Sequence, residues 1–211
     1  MGIPVLILGE TGTGKSTSMR NFDSGQLGIF NVASKPLPFR KKMTNKIDGA
    51  TYKKIAESLG KAKLKSYVID DSQYLLAFEF FDKVNIKGYD KFTELAVNFK
   101  NLIDFVIRGT PSDVIVYFLH HTETTEHGTV KAKTIGKMLD QQLTVEGMFA
   151  IVLRTSVENG VYKFITQNSG ADTCKSPMEM FDMEIDNDLK FVDDTIRSYY
   201  GLGGKENEAT S

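Results

Sequence analysis

The chain has 211 residues, 41% of them hydrophobic, with 26 Lys and Arg against 27 Asp and Glu. That is enough apolar material for one full core, and a net charge of -1 excludes a protein whose overall field gathers nucleic acid, leaving any such contact to a local basic patch. A single cysteine, Cys174, excludes an internal disulfide and agrees with a reducing compartment. With no apolar run near the ~20 residues of a membrane span and no basic-then-apolar start, the expectation is a cytoplasmic protein with no membrane partner.

The first element is "IPVLIL", residues 3–8, an apolar run suited to a buried parallel strand. It leads into "GETGTGKS", residues 9–16, with the G-x-x-x-x-G-K-[ST] spacing of a phosphate-binding loop. In such a loop glycines let successive N–H groups face a phosphate, a lysine reaches the β- and γ-phosphates, and a hydroxyl ligates Mg²⁺. Gly9, Glu10, Thr11, Gly12, Thr13, Gly14, Lys15, Ser16 and Thr17 are therefore the expected nucleotide contacts. "KSTSMRNF" behind them is expected to begin a helix.

"LGIFNV" (27–32) reads as a second strand and "SYVIDD" (66–71) as a third that ends in carboxylates. Residues 92–107 place Phe92, Leu95, Ala96, Phe99, Leu102, Ile103 and Val106 on one helical face. "DVIVYFLHH" (113–121) is a fourth strand, ending in two histidines. Strands alternating with helices predict an α/β fold with a parallel sheet and a ligand edge at the strand ends. After residue 148, "FAIVLRTSV", "ENG" and "VYKFITQ" predict an antiparallel hairpin. "NDLKFVDDTIRSYY" (187–200) predicts a final helix stopped by glycines, so that residues 1–202 form the domain and 203–211 a flexible tail.

The chemistry concentrates at the strand ends. Asp70 is placed to partner Mg²⁺ beside Ser16. Asp71 suits two roles, orienting an attacking water or capping the following helix. Glu10 is a weaker candidate for the water. His120 and His121 end a strand where at most one can sense the γ-phosphate, since alternation turns the other away, and His120 is the one expected at the site. "HHTETTEH" matches no compact metal pattern. Lys131, Lys133 and Lys137, in the loop beyond, suit either a DNA-contacting arm or a solvated basic loop. "FRKKMTNK" and "KAKLK" read as surface charge. "NKID" (45–48) matches a guanine-reading pattern but precedes the third strand, so ATP is the base choice by default. Lys175, in "GADTCKSP", is either a loop lysine or a finger reaching a neighbouring subunit.

With "GETGTGKS", "ASKPLPF", "VIDDSQYLL", "YDKFTELAVNF", "KTIGKML", "TQNSGADTCKSPMEMF" and "NDLKFVDDTIRSYY" in place, the chain resembles phage-encoded ATP-binding proteins with a RecA-like or AAA-type P-loop core, a group that includes single-strand annealing proteins. The resemblance covers about residues 3–202. It implies a Mg-dependent ATPase acting on single-stranded DNA in recombination or replication in a bacterial host, assembled as a ring or filament. By the same likeness the loop after His121 would face DNA, and Lys175 would reach the next subunit's phosphates. RecA-type recombinases carry a catalytic glutamate after the second strand, where this chain has "NVASKP". Either Asp71 takes over that work or hydrolysis is slow. The alternatives are an AAA-type assembly factor gripping a replication or single-strand binding protein, and a nucleotide-switched regulator.

Overall fold

The structure, a computed structural model, describes residues 1–136 and 143–202. Lys137 and the 203–211 tail lie outside the described residues. In chain order the elements are β1 (Ile3–Gly9), a 3₁₀ turn (Ser16–Asn21), β2 (Leu27–Asn31), β3 (Asn45–Asp48), α1 (Tyr52–Leu59), β4 (Ser66–Asp70), α2 (Gln73–Asp82) and α3 (Asp90–Gly109). There follow β5 (Ile115–Thr124), β6 (Val130–Ala132), a second 3₁₀ turn (Val145–Met148), β7 (Ile151–Glu158), β8 (Val161–Ile165), β9 (Glu184–Asp186) and α4 (Leu189–Tyr200).

The strands form one mixed sheet in the order β3-β2-β4-β5-β1-β7-β8-β9, with β6 paired to the far end of β5. Pairing is parallel from β3 through β7 and antiparallel for β7–β8, β8–β9 and β5–β6. Helices cover both faces, making an α/β fold with a mostly parallel sheet. The reason is visible in β1, where alternate residues feed two separate cores. Leu6 and Leu8 pack with α1, α2 and α3, while Val5 and Ile7 pack with α4 and the first 3₁₀ turn. Each such side chain, fully removed from water, contributes roughly 1.5–3 kcal/mol.

The α3 stripe is buried through Leu95, Ala96, Phe99, Leu102, Ile103 and Val106. Phe99 meets Phe118 edge-on at 6.3 Å, so Phe99→Ala is expected to cost about 3–5 kcal/mol. Helix α4 starts where the Asp188 carboxylate accepts from the N–H groups of Lys190 and Phe191. It stops at Gly201, whose φ of 64° is left-handed.

Three local expectations are revised. The helix expected after the glycine loop is only a six-residue 3₁₀ stretch. Its opening residues are Ser16, Thr17 and Ser18, and the Ser18 hydroxyl bonds back to the Lys15 carbonyl at 2.6 Å, while "DSG" turns the chain at residue 23. "NKID" is a strand of its own, β3, at the edge of the sheet. Residues 122–132 form a β-hairpin rather than a free arm, closed by bonds between Thr125 and Thr129 with Gly128 at φ 81°. Among the described residues, no helix is long and apolar enough to cross a membrane.

Candidate functional site

Parallel pairing brings the carboxyl ends of β1, β2, β4 and β5 to one edge of the sheet. Gly9 pairs with His121, and Asn31 with Asp70. Because β5 lies between β1 and β4, His121 stands between the glycine loop and the two aspartates. Such an edge is where open α/β sheets take ligands.

The loop is shaped by close approach as well as by torsion. A Cβ on Gly9 would lie 1.9 Å from the Thr155 hydroxyl, so β7 can press against the loop only because residue 9 is glycine. Gly12 and Gly14 have φ of 82° and 94°, which side-chain-bearing residues rarely adopt. Thr13 donates to the Glu10 carbonyl at 2.8 Å and bonds the Thr155 hydroxyl at 2.6 Å, tying the loop to β7.

Lys15 is buried at 6% exposure, and its Nζ donates to the carbonyls of Gly9 and Glu10, both at 2.7 Å. Burial pulls its pKa down to about 8, against the pull of Asp71 and Asp70. Ser16 Oγ donates to Asp70 Oδ1 at 2.7 Å. Burial pushes the Asp70 carboxyl up to about 6, more than the Ser16 bond can offset.

Asp71 behaves differently. Its φ of 60° is left-handed, and its carboxylate takes Lys35 Nζ at 2.7 Å and His121 Nε2 at 3.2 Å. Burial acts to raise its pKa, but the bonds from His121 and Lys35 outweigh that and hold it at about 2. The residue at the head of α2 is Ser72, so the carboxylate serves the cleft and not a helix cap. Tyr74 supports both partners: Lys35 Nζ lies 4.8 Å from its ring centre and His121 meets it edge-on at 5.7 Å. Gly12, Lys15, Ser16, Lys35, Asp70, Asp71 and His121 line one cleft of about 250 Å³.

The structure thus gathers the glycine loop, Lys15, Ser16, Thr17, Asp70 and Asp71 at a single place. His120 is not there. It is fully buried, its ring tilted against Phe99 at 5.6 Å, with Nε2 donating to the Lys133 carbonyl and Nδ1 accepting from Ser72 Oγ, each at 2.8 Å. Burial holds its pKa down at about 4, so it is a neutral tether, and the histidine facing the cleft is His121. Glu10 is exposed and lines an adjoining open cleft of about 460 Å³ with Thr11, His121 and Lys133. Lys131 pairs with Glu123 at 3.1 Å, and Lys133 is exposed, its N–H bonded to the His121 carbonyl. Lys175 pairs through its backbone with Val152, two residues before Arg154 on β7 and away from the cleft lining.

Lys35 and the choice of His121 escaped sequence reasoning. Both carry a signal that needs topology: Lys35 follows β2, so parallel pairing brings its loop to the same edge as the glycine loop. Asn31 fixes that loop by donating to the Lys35 carbonyl at 2.7 Å. A larger cavity of about 430 Å³ lies between β3 and α1, where Lys46, Lys61 and Lys63 bring the two other basic runs together, remote from these groups. Among the described residues, no group of three His, Cys, Asp or Glu side chains forms a metal cage. Magnesium held with phosphates needs only one or two protein ligands, and the hard oxygens of Ser16 and Asp70 suit that role. No protein-family model matches the chain, and no curated protein matches it.

Proposed function

We propose that this protein binds Mg·ATP in a RecA-like P-loop core and acts as an oligomeric ATPase on single-stranded DNA. The observation that carries the reading is the bond between Ser16, in the glycine loop, and Asp70, 54 residues away at the end of β4. A turn that merely contained glycines has no reason to place its hydroxyl 2.7 Å from a buried carboxylate and its lysine beside both.

The residues divide the work. Lys15 exchanges the carbonyls of Gly9 and Glu10 for phosphate oxygens, and the glycine loop surrounds them with N–H donors. Ser16 and Asp70 would hold the magnesium ion, which when bound offsets charge on the β- and γ-phosphates. Lys35 adds a second cation on the opposite wall, on a flexible and mostly exposed stem. His121 reports the terminal phosphate through β5, whose continuation is the hairpin that carries Lys131, with Lys133 directly after it, toward DNA. Lys175 reaches the phosphates of a neighbouring subunit. "NKID" is an edge strand whose Lys46 and Asp48 bind each other at 2.8 Å, which leaves no support for a guanine reader and keeps ATP as the default.

One observation favours a second reading, a nucleotide-switched regulator or AAA-type assembly factor for a replication protein. The Asp71 carboxylate already has two partners, an arrangement suited to holding a state more than to orienting an attacking water. ATP hydrolysis at low salt, with and without a single-stranded oligonucleotide, separates the two. Stimulation supports the DNA-acting ATPase. No stimulation, together with no DNA binding in ATP, transfers the assignment to the switch.

A further inference from the structure

Among the described residues, Asn187 alone has two buried side-chain polar atoms without a partner; Tyr52 and Glu79 have one each. Asn187 is 2% exposed, yet neither its side-chain oxygen nor its nitrogen has a hydrogen-bond partner. Buried amides are nearly always paired, so an unpaired one asks for a missing partner. The side chain cannot be an accident of a loose backbone. The Asn187 N–H donates to the Tyr162 carbonyl at 3.3 Å, its carbonyl accepts from Arg20 at 2.6 Å, and the next residue, Asp188, accepts from Asn21 at 2.7 Å.

Its position relates it to the glycine loop. A Cβ on Gly14 would lie 3.1 Å from the Asn187 oxygen, 3.3 Å from its nitrogen and 2.9 Å from the ring of Tyr162. Gly14 therefore has no side chain where an amide and an aromatic ring converge. Tyr162 is 45% exposed although it belongs to β8, and a turn of its ring would open the amide to the cleft.

The direction of a bound nucleotide follows from the groups already placed. Ser16, Asp70, Lys35 and His121 fix the terminal phosphates on the β4 and β5 side of the loop. Gly14 then offers the sugar and base a path toward β8 and the start of α4.

We propose that Tyr162 and Asn187 form a nucleobase subsite, the ring stacking on a purine and the amide reading its edge. The inference rests on the phosphate-loop reading and extends it to the other end of the ligand. An amide offers an acceptor and a donor side by side, which complements the donor and acceptor of adenine. Two carboxylate acceptors would complement guanine's N1–H and amino donors instead.

The test compares Mg·ATP, Mg·GTP and Mg·tripolyphosphate by calorimetric titration of the full chain. Wild type is expected to bind ATP more tightly than tripolyphosphate. Tyr162→Ala, a change at an exposed ring that leaves the fold intact, should shrink that ratio by about tenfold while tripolyphosphate affinity stays the same. Asn187→Asp should move preference from ATP toward GTP. If wild type binds both ligands and Tyr162→Ala leaves the ratio unchanged, the subsite is wrong while the phosphate site stands. If wild type binds neither, the phosphate-loop reading fails and takes the subsite with it.

Discussion

On the Asp70 side of the cleft an acid and a base are both buried, and each is driven toward its neutral form: Asp70 up to about 6 and Lys15 down to about 8. On the Asp71 side, one residue further along the chain, the carboxylate is held at about 2 by Lys35 and His121. The first wall gives its charges only neutral hydrogen-bond partners, two carbonyls for Lys15 and a hydroxyl for Asp70. The second satisfies its own. A site that must take up a multiply charged ligand with a cation has use for the first arrangement, because phosphates and metal supply the missing partners. The second behaves as a closed pair that a ligand has to open.

The largest effect expected from breaking this contrast is at Asp70. Asp70→Asn should lower Mg-dependent ATP affinity by about a hundredfold, the scale of removing a charged group from a metal site. It should also stabilise the ligand-free protein at pH 7 by up to about 3 kcal/mol, from the gap between an unfolded pKa of 3.8 and a folded one of about 6. Calorimetry and denaturant unfolding read the two halves separately. An unchanged affinity would remove Asp70 from the ion.

Next comes Lys35→Ala, expected to lower turnover about tenfold while Mg·ADP affinity holds, if the missing cation faces the terminal phosphate as proposed. Equal losses for ATP and ADP would reduce Lys35 to a prop for its loop.

The two aspartates also predict opposite pH dependences. Asp70 has a raised folded pKa, so its contribution is fully present below pH 3.8 and is lost as pH rises toward 6. Asp71 has a depressed one, so its contribution is present above pH 3.8 and is lost as pH falls toward 2. Melting of the ligand-free protein should accordingly lose the first slope in Asp70→Asn and the second in Asp71→Asn. Identical profiles in the two variants would erase the distinction between the walls.

The smallest expected change is in DNA binding. Replacing Lys131 and Lys133 with alanine should flatten the log-log salt slope for a single-stranded oligonucleotide by about 1.4, roughly 0.7 for each phosphate that is no longer neutralised. A slope that does not move would take the hairpin out of the DNA site.

What could be read from the chain was what lay contiguously in it. The apolar run of β1, the glycine spacing and the acids ending β4 are each complete within a few residues, and all converge at one cleft. The α3 stripe was legible for the same reason, because helical period declares the buried face. Failures came where a partner far along the chain decides. Strand alternation separates His120 from His121 but not which faces the ligand; the covering Phe99 settles it by occupying the His120 face. Lys35 and Asn187 had no local signature at all, since one depends on parallel pairing of β2 and the other on a glycine 173 positions earlier. β3 was missed because four residues with two charges make a poor strand in isolation and a tolerable one at a sheet edge.

The central claim is that Lys15, Ser16 and Asp70 form a Mg·ATP site, and the direct measurement is the melting shift of wild type and Lys15→Ala on adding Mg·ATP. Ligand at about 100 times its dissociation constant should add roughly 2.7 kcal/mol to wild type and nothing to the variant. A shift of the same size in Lys15→Ala, or none in wild type, would contradict the account.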